Sequence, residues 1–280
     1  MSRNNADRLG SGARDLNQGS SPAGSAPLSF STPTEFVELP TKGRYYPEGH
    51  PLHDVGELEI RYMTAKDEDI LTSKTLLQKG IAIDRFLRNI LVDKTINIDE
   101  LYVGDKNAIL IAARITGYGE EYNFGAPCPV CSAISQQLID LTNLTTYYGE
   151  ELDECMQKTD AGTFLIQLPT SNVNLEVRLM RSVDEDYLVK LAENKRKKNL
   201  PESSLTDQLT RMIVSVNGDT SSATISRFVD TMPARDSRYL RSNYFKIVPD
   251  IDMTFDFSCR TCTHSQEMGV PLTAEFFWPK

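Results

Sequence analysis

The sequence predicts an α+β fold built as a tandem duplication of a strand–helices–β-hairpin unit, with its two hairpins joined in a pseudo-twofold, zinc-ribbon-like four-cysteine site. Three observations lead there. Two Cys-x-x-Cys pairs, Cys128/Cys131 and Cys259/Cys262, stand far apart in the chain. The segments upstream of them are one pattern written twice: Leu58-Glu-Ile-Arg-Tyr-Met-Thr-Ala-Lys-Asp-Glu-Asp-Ile-Leu71 aligns without a gap with Leu175-Glu-Val-Arg-Leu-Met-Arg-Ser-Val-Asp-Glu-Asp-Tyr-Leu188. Shorter matches frame that alignment. Phe36-Val-Glu-Leu-Pro-Thr41 answers Leu165-Ile-Gln-Leu-Pro-Thr170, and Asp105 and Phe124 answer Asp236 and Phe255 at the offset that relates the cysteines.

Residues 1–34 carry Ser, Gly, Ala, Asn and Pro with scattered charge. Such a segment has too little apolar surface to offset its ordering entropy and reads as a disordered tail. The first copy spans 35–150, with helices in its middle. Asp67 to Leu77 and Ile81 to Val92 carry apolar residues at helical spacing, and Ile83, Phe86, Leu87, Ile90 and Leu91 form one stripe. A third helix starts near Gly104-Asp105, carries Ala108, Ile109, Ile111, Ala112 and Ile115, and stops at Gly117. Beyond Gly119 the period becomes two. Tyr122-Asn-Phe124 alternates, Cys128-Pro-Val-Cys131 turns, and Ile134-Ser-Gln-Gln-Leu138 leaves as the second arm of a hairpin.

The second copy, 151–280, repeats the order. Leu175 to Met180 alternates as a strand, and Ser182-Val-Asp-Glu185 fits a capping box whose helix ends in Lys195-Arg-Lys-Lys198. Helices follow near Leu205 to Val216, closed by Asn217-Gly218, and near Pro233 to Val248, with Pro249 just past the end. Met253-Thr-Phe-Asp-Phe257 then alternates into Cys259-Arg-Thr-Cys262. The excess length of this copy falls in a loop around Asn194 to Ser204.

At 280 residues the chain suffices for one large core or two small ones, and the repeat favours two lobes. A net charge of −9 and a pI near 5.0 argue against nucleic acid as the main partner, because affinity for phosphate backbones comes from Lys and Arg. Five cysteines, an odd number, with no apolar leader read as a reducing cytosolic setting rather than a disulfide framework. No apolar run is long enough to span a membrane.

A Cys-x-x-Cys turn presents two thiolates from one loop, and two such turns complete the tetrahedron that a structural zinc ion takes. The span between Cys131 and Cys259 is long for a zinc ribbon, but a pseudo-twofold relation between copies brings the two hairpin tips together. The ligand set is therefore Cys128, Cys131, Cys259 and Cys262. A dithiol redox site would want its first cysteine at a helix N-terminus, whereas both pairs here have extended flanks. His264 reads as a surface residue, and Cys155 as a small buried apolar side chain.

Nothing else carries chemistry. The chain has no P-loop, no dinucleotide fingerprint, no nucleophile elbow and no His-Glu-x-x-His motif. The acidic triplets Asp67-Glu-Asp69 and Asp184-Glu-Asp186 stand at helix starts, where negative charge suits the helix dipole. Lys195 to Lys198 suits a helix end in the same way. Two aromatic stretches read as partner surface: Tyr45-Tyr46, in a turn-rich insert after Leu39-Pro-Thr-Lys-Gly43 that the second copy lacks, and Phe276-Phe277-Trp278, which fits folding back on the body equally well.

Leu39-Pro-Thr-Lys-Gly43 with Tyr46-Pro47, Met63-Thr-Ala-Lys-Asp-Glu-Asp-Ile-Leu71, Asp93-Lys-Thr-Ile-Asn-Ile-Asp99, Gly104-Asp-Lys-Asn-Ala108, Ala113-Arg-Ile-Thr-Gly-Tyr118 and Cys128-Pro-Val-Cys131 resemble the baseplate hub and hub-assembly proteins of T4-like contractile-tailed bacteriophages, over residues 36–278. The resemblance implies a viral protein made in the cytoplasm of the infected bacterium. It would form part of the virion's central baseplate hub or help to build it, contact other hub and tail proteins, and carry no catalytic residues. A zinc-ribbon nucleic-acid-binding or regulatory adaptor is the competing class. It calls for a basic stripe beside the hairpins, where Arg260 stands alone.

Overall fold

The computed structural model describes residues 32–149, 156–271 and 274–277, a mixed α+β arrangement. β1 (Thr34–Glu38) and β2 (Glu57–Arg61) pair antiparallel with Val37 opposite Leu58. Their inward residues Val37, Leu58 and Ile60 are buried, as the period of two requires. α1 (Ala65–Thr72) and α2 (Lys74–Gln78) replace the single helix expected over Asp67 to Leu77, because Ser73 is extended at ψ 106° and breaks it. α3 (Ala82–Ile90) buries Phe86, Leu87 and Ile90 on one stripe.

α4 (Val103–Tyr118) runs through Gly117, the expected stop, and is capped instead by Gly119 at φ 86°. Gly117 serves packing: a Cβ there would lie 2.1 Å from Met63 Cε. β3 (Glu121–Pro127) and β4 (Ile134–Asp140) form the first hairpin, and a 3-10 turn at Leu141–Asn143 leads to β5 (Thr145–Tyr147).

In the second half, β6 (Met156–Lys158), β7 (Phe164–Gln167), β8 (Asn174–Val177) and β9 (Ile213–Val216) make a four-stranded antiparallel sheet in that order, with Ile166 opposite Leu175. α5 (Ser182–Lys197) starts one residue away from the expected box: Asp184 caps it by accepting from the Arg181 amide at 2.9 Å, while Ser182 is buried. α6 (Ser204–Met212) ends four residues before the expected Val216. Three of the four residues in Ile213-Val-Ser-Val216 are β-branched, and the segment pairs with β8 as β9, where such side chains fit a pleated surface.

α7 (Ser222–Thr231) has no counterpart in the expected order of elements. Its N-cap is readable in the sequence, since Ser221 Oγ accepts from the Thr224 amide at 3.4 Å. The excess expected in a loop around Asn194 to Ser204 falls partly in helix, because α5 runs to Lys197, and α7 adds helical length that the expected order did not contain. α8 (Ala234–Ile247) is followed by β10 (Asp250–Asp252), then by the second hairpin, β11 (Thr254–Ser258) with β12 (Ser265–Gly269), and by a 3-10 turn at Ala274–Phe277.

The halves interlock. β5 pairs with β10, Thr145 opposite Asp252, and α4 presses its first turn against the far half. Gly104 permits that approach, because a Cβ there would meet the Pro249 carbonyl oxygen at 2.1 Å.

Candidate metal centre

Two buried carboxylates fix the chain upstream of each hairpin. Arg61, from the end of β2, grips Asp67 in the first turn of α1 with two hydrogen bonds at 2.6 and 2.9 Å, and Asn89 adds a third donor at 2.5 Å. Arg178 grips Asp184 of α5 at 2.6 and 2.8 Å, with Arg211 at 2.6 Å on the same carboxylate. Burial alone raises the Asp67 pKa, but the donors from Arg61, Thr64 and Asn89 outweigh it and hold the group at about 2. Farther on, Asp105 in α4 accepts from the amide and hydroxyl of Thr41, and Asp236 in α8 accepts from the amides of Thr170 and Ser171. The acidic triplets thus supply one buried structural carboxylate each, beyond the dipole role expected of them. The signal was present, since the Arg and the Asp recur at the same spacing in both aligned segments.

Above these anchors the hairpins pack face to face. The Phe124 and Phe255 rings meet edge-on at 5.1 Å, and the Gln137 side chain reaches the Ser258 carbonyl at 3.4 Å. The tips match in backbone detail. Cys128 N donates to Ala133 O at 2.9 Å, and Cys259 N to His264 O at 2.8 Å. Ser132 and Thr263, each just after a second cysteine, adopt φ 59° and 58°, a left-handed conformation that non-glycine residues seldom take.

The four sulfurs converge. Cys128 Sγ lies 3.6 Å from Cys262 Sγ, Cys131 Sγ lies 3.6 Å from Cys259 Sγ, and all four lie within 4.8 Å of one another. Each close pair takes the first cysteine of one hairpin and the second of the other. Zn–S bonds of roughly 2.3 Å in a tetrahedron place sulfurs about 3.8 Å apart, so the residues fit a four-thiolate metal ion. A disulfide would need about 2.05 Å, and all four cysteines are free thiols.

Backbone amides favour negative charge here. The N–H groups of Cys262 and Thr261 at the Cys259 sulfur hold that thiol down at about 6. The His264 amide acts to lower Cys262 as well, but hydrogen bonding with the Cys131 sulfur, partial burial, and the Cys128 and Cys259 sulfurs push it up to about 12. Cys128 and Cys259 are buried and Cys131 is exposed, which puts the cluster at the surface end of the hairpins. His264 turns its ring to Gln266 at 3.1 Å and is not among the clustered donors.

The aromatic residues expected to face partners are corrected. Tyr45 and Tyr46 are 8% and 3% exposed. Tyr46 donates to Asp105 at 2.7 Å and accepts from the Tyr102 amide at 3.2 Å, and the Tyr45 ring packs 5.9 Å from Phe164. The insert folds inward because its turn formers bring two large rings over a buried carboxylate that needs donors. Of the two readings open to the C-terminal stretch, Phe276 and Phe277 take the fold-back one, buried against Tyr122 and Phe86. Trp278 and Cys155 lie outside the described residues. Lys195 pairs with Asp207 at 2.6 Å, so the basic tract is partly neutralised within the chain.

A model of the family described as T4 bacteriophage base plate protein matches residues 33–278 of this chain. No curated protein and no solved structure matches it.

Proposed function

Because the chain belongs to the T4 bacteriophage base plate protein family, we propose that it is a non-enzymatic component of the central hub of a contractile tail, incorporated in the hub or acting as its assembly chaperone, with its hairpins stapled by structural zinc. The family match over residues 33–278 is the observation that carries the baseplate role. The staple rests on four sulfurs drawn from two distant hairpins. Soft thiolates in a tetrahedron suit zinc or iron, and four of them leave no open coordination position for catalysis.

The staple joins two copies of one unit, 35–150 and 151–280, behind a tail at 1–34. What supports the duplication is a common register: Val37 opposite Leu58 and Ile166 opposite Leu175, Arg61 on Asp67 and Arg178 on Asp184, Asp105 and Asp236 beneath matching loops. A metal between pseudo-equivalent tips locks the copies together, which suits a rigid part of an assembly made in the bacterial cytoplasm.

Elemental analysis of the purified protein should find about one zinc per chain. Two zincs, iron with visible absorbance, or no metal with full stability removes the shared zinc. Purification from infected cells, run separately on mature virions and on assembly intermediates, decides the role: presence in both marks a hub constituent, presence in intermediates alone a chaperone, and absence from both ends the baseplate reading.

A further inference from the structure

The chain leaves each hairpin by crossing to the other half. After β4 it reaches β5, which lies along β10. After β12 it reaches the turn at Ala274–Phe277, where Arg114 Nε donates to the Phe276 carbonyl at 2.8 Å while its other nitrogens hold the Gly119 and Glu121 carbonyls at 2.7 and 2.9 Å. Two rings fill that seat. Phe276 stands 5.0 Å from Tyr122, and Phe277 stands 5.2 Å from Phe86.

The register that sets Cys128 on Cys259 sets Arg114 on Phe245, Tyr122 on Met253, and Thr145 and Thr146 on Phe276 and Phe277. α3 and α6, nine residues each, set Phe86 on Gln208. The second half thus carries the same seat with two threonines where the first half uses two phenylalanines. What remains is an open groove of about 670 Å³ whose lining includes Thr145, Thr146, Gln208, Phe245 and Met253. Phe245 is 72% exposed, whereas its counterpart Arg114 is 1% exposed. An exposed ring beside an apolar groove that no described residue fills marks a docking surface. Among the described residues the charged lining groups are Glu185, Asp250 and Asp252; Lys106 pairs with Glu185 at 3.2 Å and Asn107 donates to Asp250 at 3.0 Å, so the acidic excess that remains, with Asp252 foremost, favours a basic occupant.

We propose that this groove docks a segment of another baseplate protein that inserts aromatic side chains next to a lysine or arginine. The aromatic part follows from what fills the twin seat, the basic part from the acidic wall. Only the partner's place in the baseplate rests on the functional reading above.

The probe is a labelled peptide with that chemistry, residues 274–280 of this chain (Ala-Glu-Phe-Phe-Trp-Pro-Lys), titrated by fluorescence anisotropy into the full-length protein. Saturable binding should weaken at least about tenfold with Phe245→Asp, as for an interface anchor, and should also weaken when the peptide's lysine becomes glutamate. Phe245→Asp sits on the exposed face of α8 and should leave the circular dichroism spectrum and metal content unchanged. Thr145→Phe with Thr146→Phe, which fills the groove from within, is the second variant and should block the peptide too. Absence of saturable binding, binding indifferent to Phe245→Asp, or self-association of the chain through this groove overturns the proposal. If the peptide binds as expected while the protein is absent from baseplates and their intermediates, the groove stands and the baseplate reading falls.

Discussion

Asp105 in α4 and Asp236 in α8 each hold a loop that follows a Leu-Pro-Thr stretch, yet with different donors. Asp105 accepts from the Thr41 amide at 3.0 Å and from the hydroxyls of Thr41 and Tyr46, both at 2.7 Å. Asp236 accepts from the amides of Thr170 and Ser171 at 2.8 and 2.9 Å. Burial pushes the Asp105 carboxyl above its usual range, and the Thr41 and Tyr46 donors offset this only in part. Burial acts the same way on Asp236, but there the Ser171 and Thr170 donors prevail and the carboxyl lies below its usual range. A hydroxyl can donate to a carboxylate or accept from a carboxylic acid, while an amide N–H only donates. The Tyr45-Tyr46 insert therefore does more than lengthen a loop. It converts the anchor of the first half into a buried, tyrosine-dependent site, where the second half relies on two backbone amides.

The largest test of how alike the halves are lies at the cysteines. Cys128→Ser and Cys262→Ser, one in each half, should each release metal and cost about 5 kcal/mol or more in chemical denaturation, since metal-binding energy is folding energy. A serine tolerated in one half, with metal retained, would show that half to supply no ligands. Next come the buried carboxylates. Asp67→Asn and Asp184→Asn should each cost about 3 kcal/mol, at the low end for breaking a buried pair, because Arg61 and Arg178 keep 22% and 30% of their side-chain surface exposed. Unequal costs would mean that the two clasps bear different loads.

Acid titration reads the first of these clasps directly. The Asp67 carboxyl titrates at about 2 when folded against 3.8 unperturbed. Its contribution is present above about pH 4 and is lost as pH falls towards 2, worth about 2 kcal/mol. Urea midpoints across that window should fall for the native chain and flatten in Asp67→Asn. The smallest effect isolates the insert. Tyr46→Phe removes a donor to Asp105 and an acceptor for the Tyr102 amide and should cost about 1.5 kcal/mol. An unchanged urea midpoint would show that the Tyr46 hydroxyl adds nothing to the anchor and would erase the energetic difference between the two.

Legibility in the sequence followed the range of the interaction. The stripe of α3, the alternation of β3 and the positions of both Cys-x-x-Cys turns come from neighbours a few residues apart, and they were readable. Misreadings arose where local preference had two outcomes. Ile213 to Val216 continues an apolar helical pattern but is mostly β-branched, and the partner strand β8 decided it. Gly117 looks like a helix stop, but the Met63 side chain pressing on it explains the glycine. The salt-bridged Asp67 and Asp184 were visible as repeated letters, without their guanidinium partners being recognised.

By itself the sequence determined the cysteine pairs, the matched segments and the helical stripes, because repetition and period are properties of the chain read in order. Only the tertiary structure decided which aromatic residues are core. Tyr46 meets Asp105 from 59 residues away, and Arg114 meets Phe276 from 162 residues away. The same physics left Phe245 exposed and Phe276 buried. A phenyl ring is driven from water wherever a seat exists, and whether a seat exists depends on which distant segment arrives to build it.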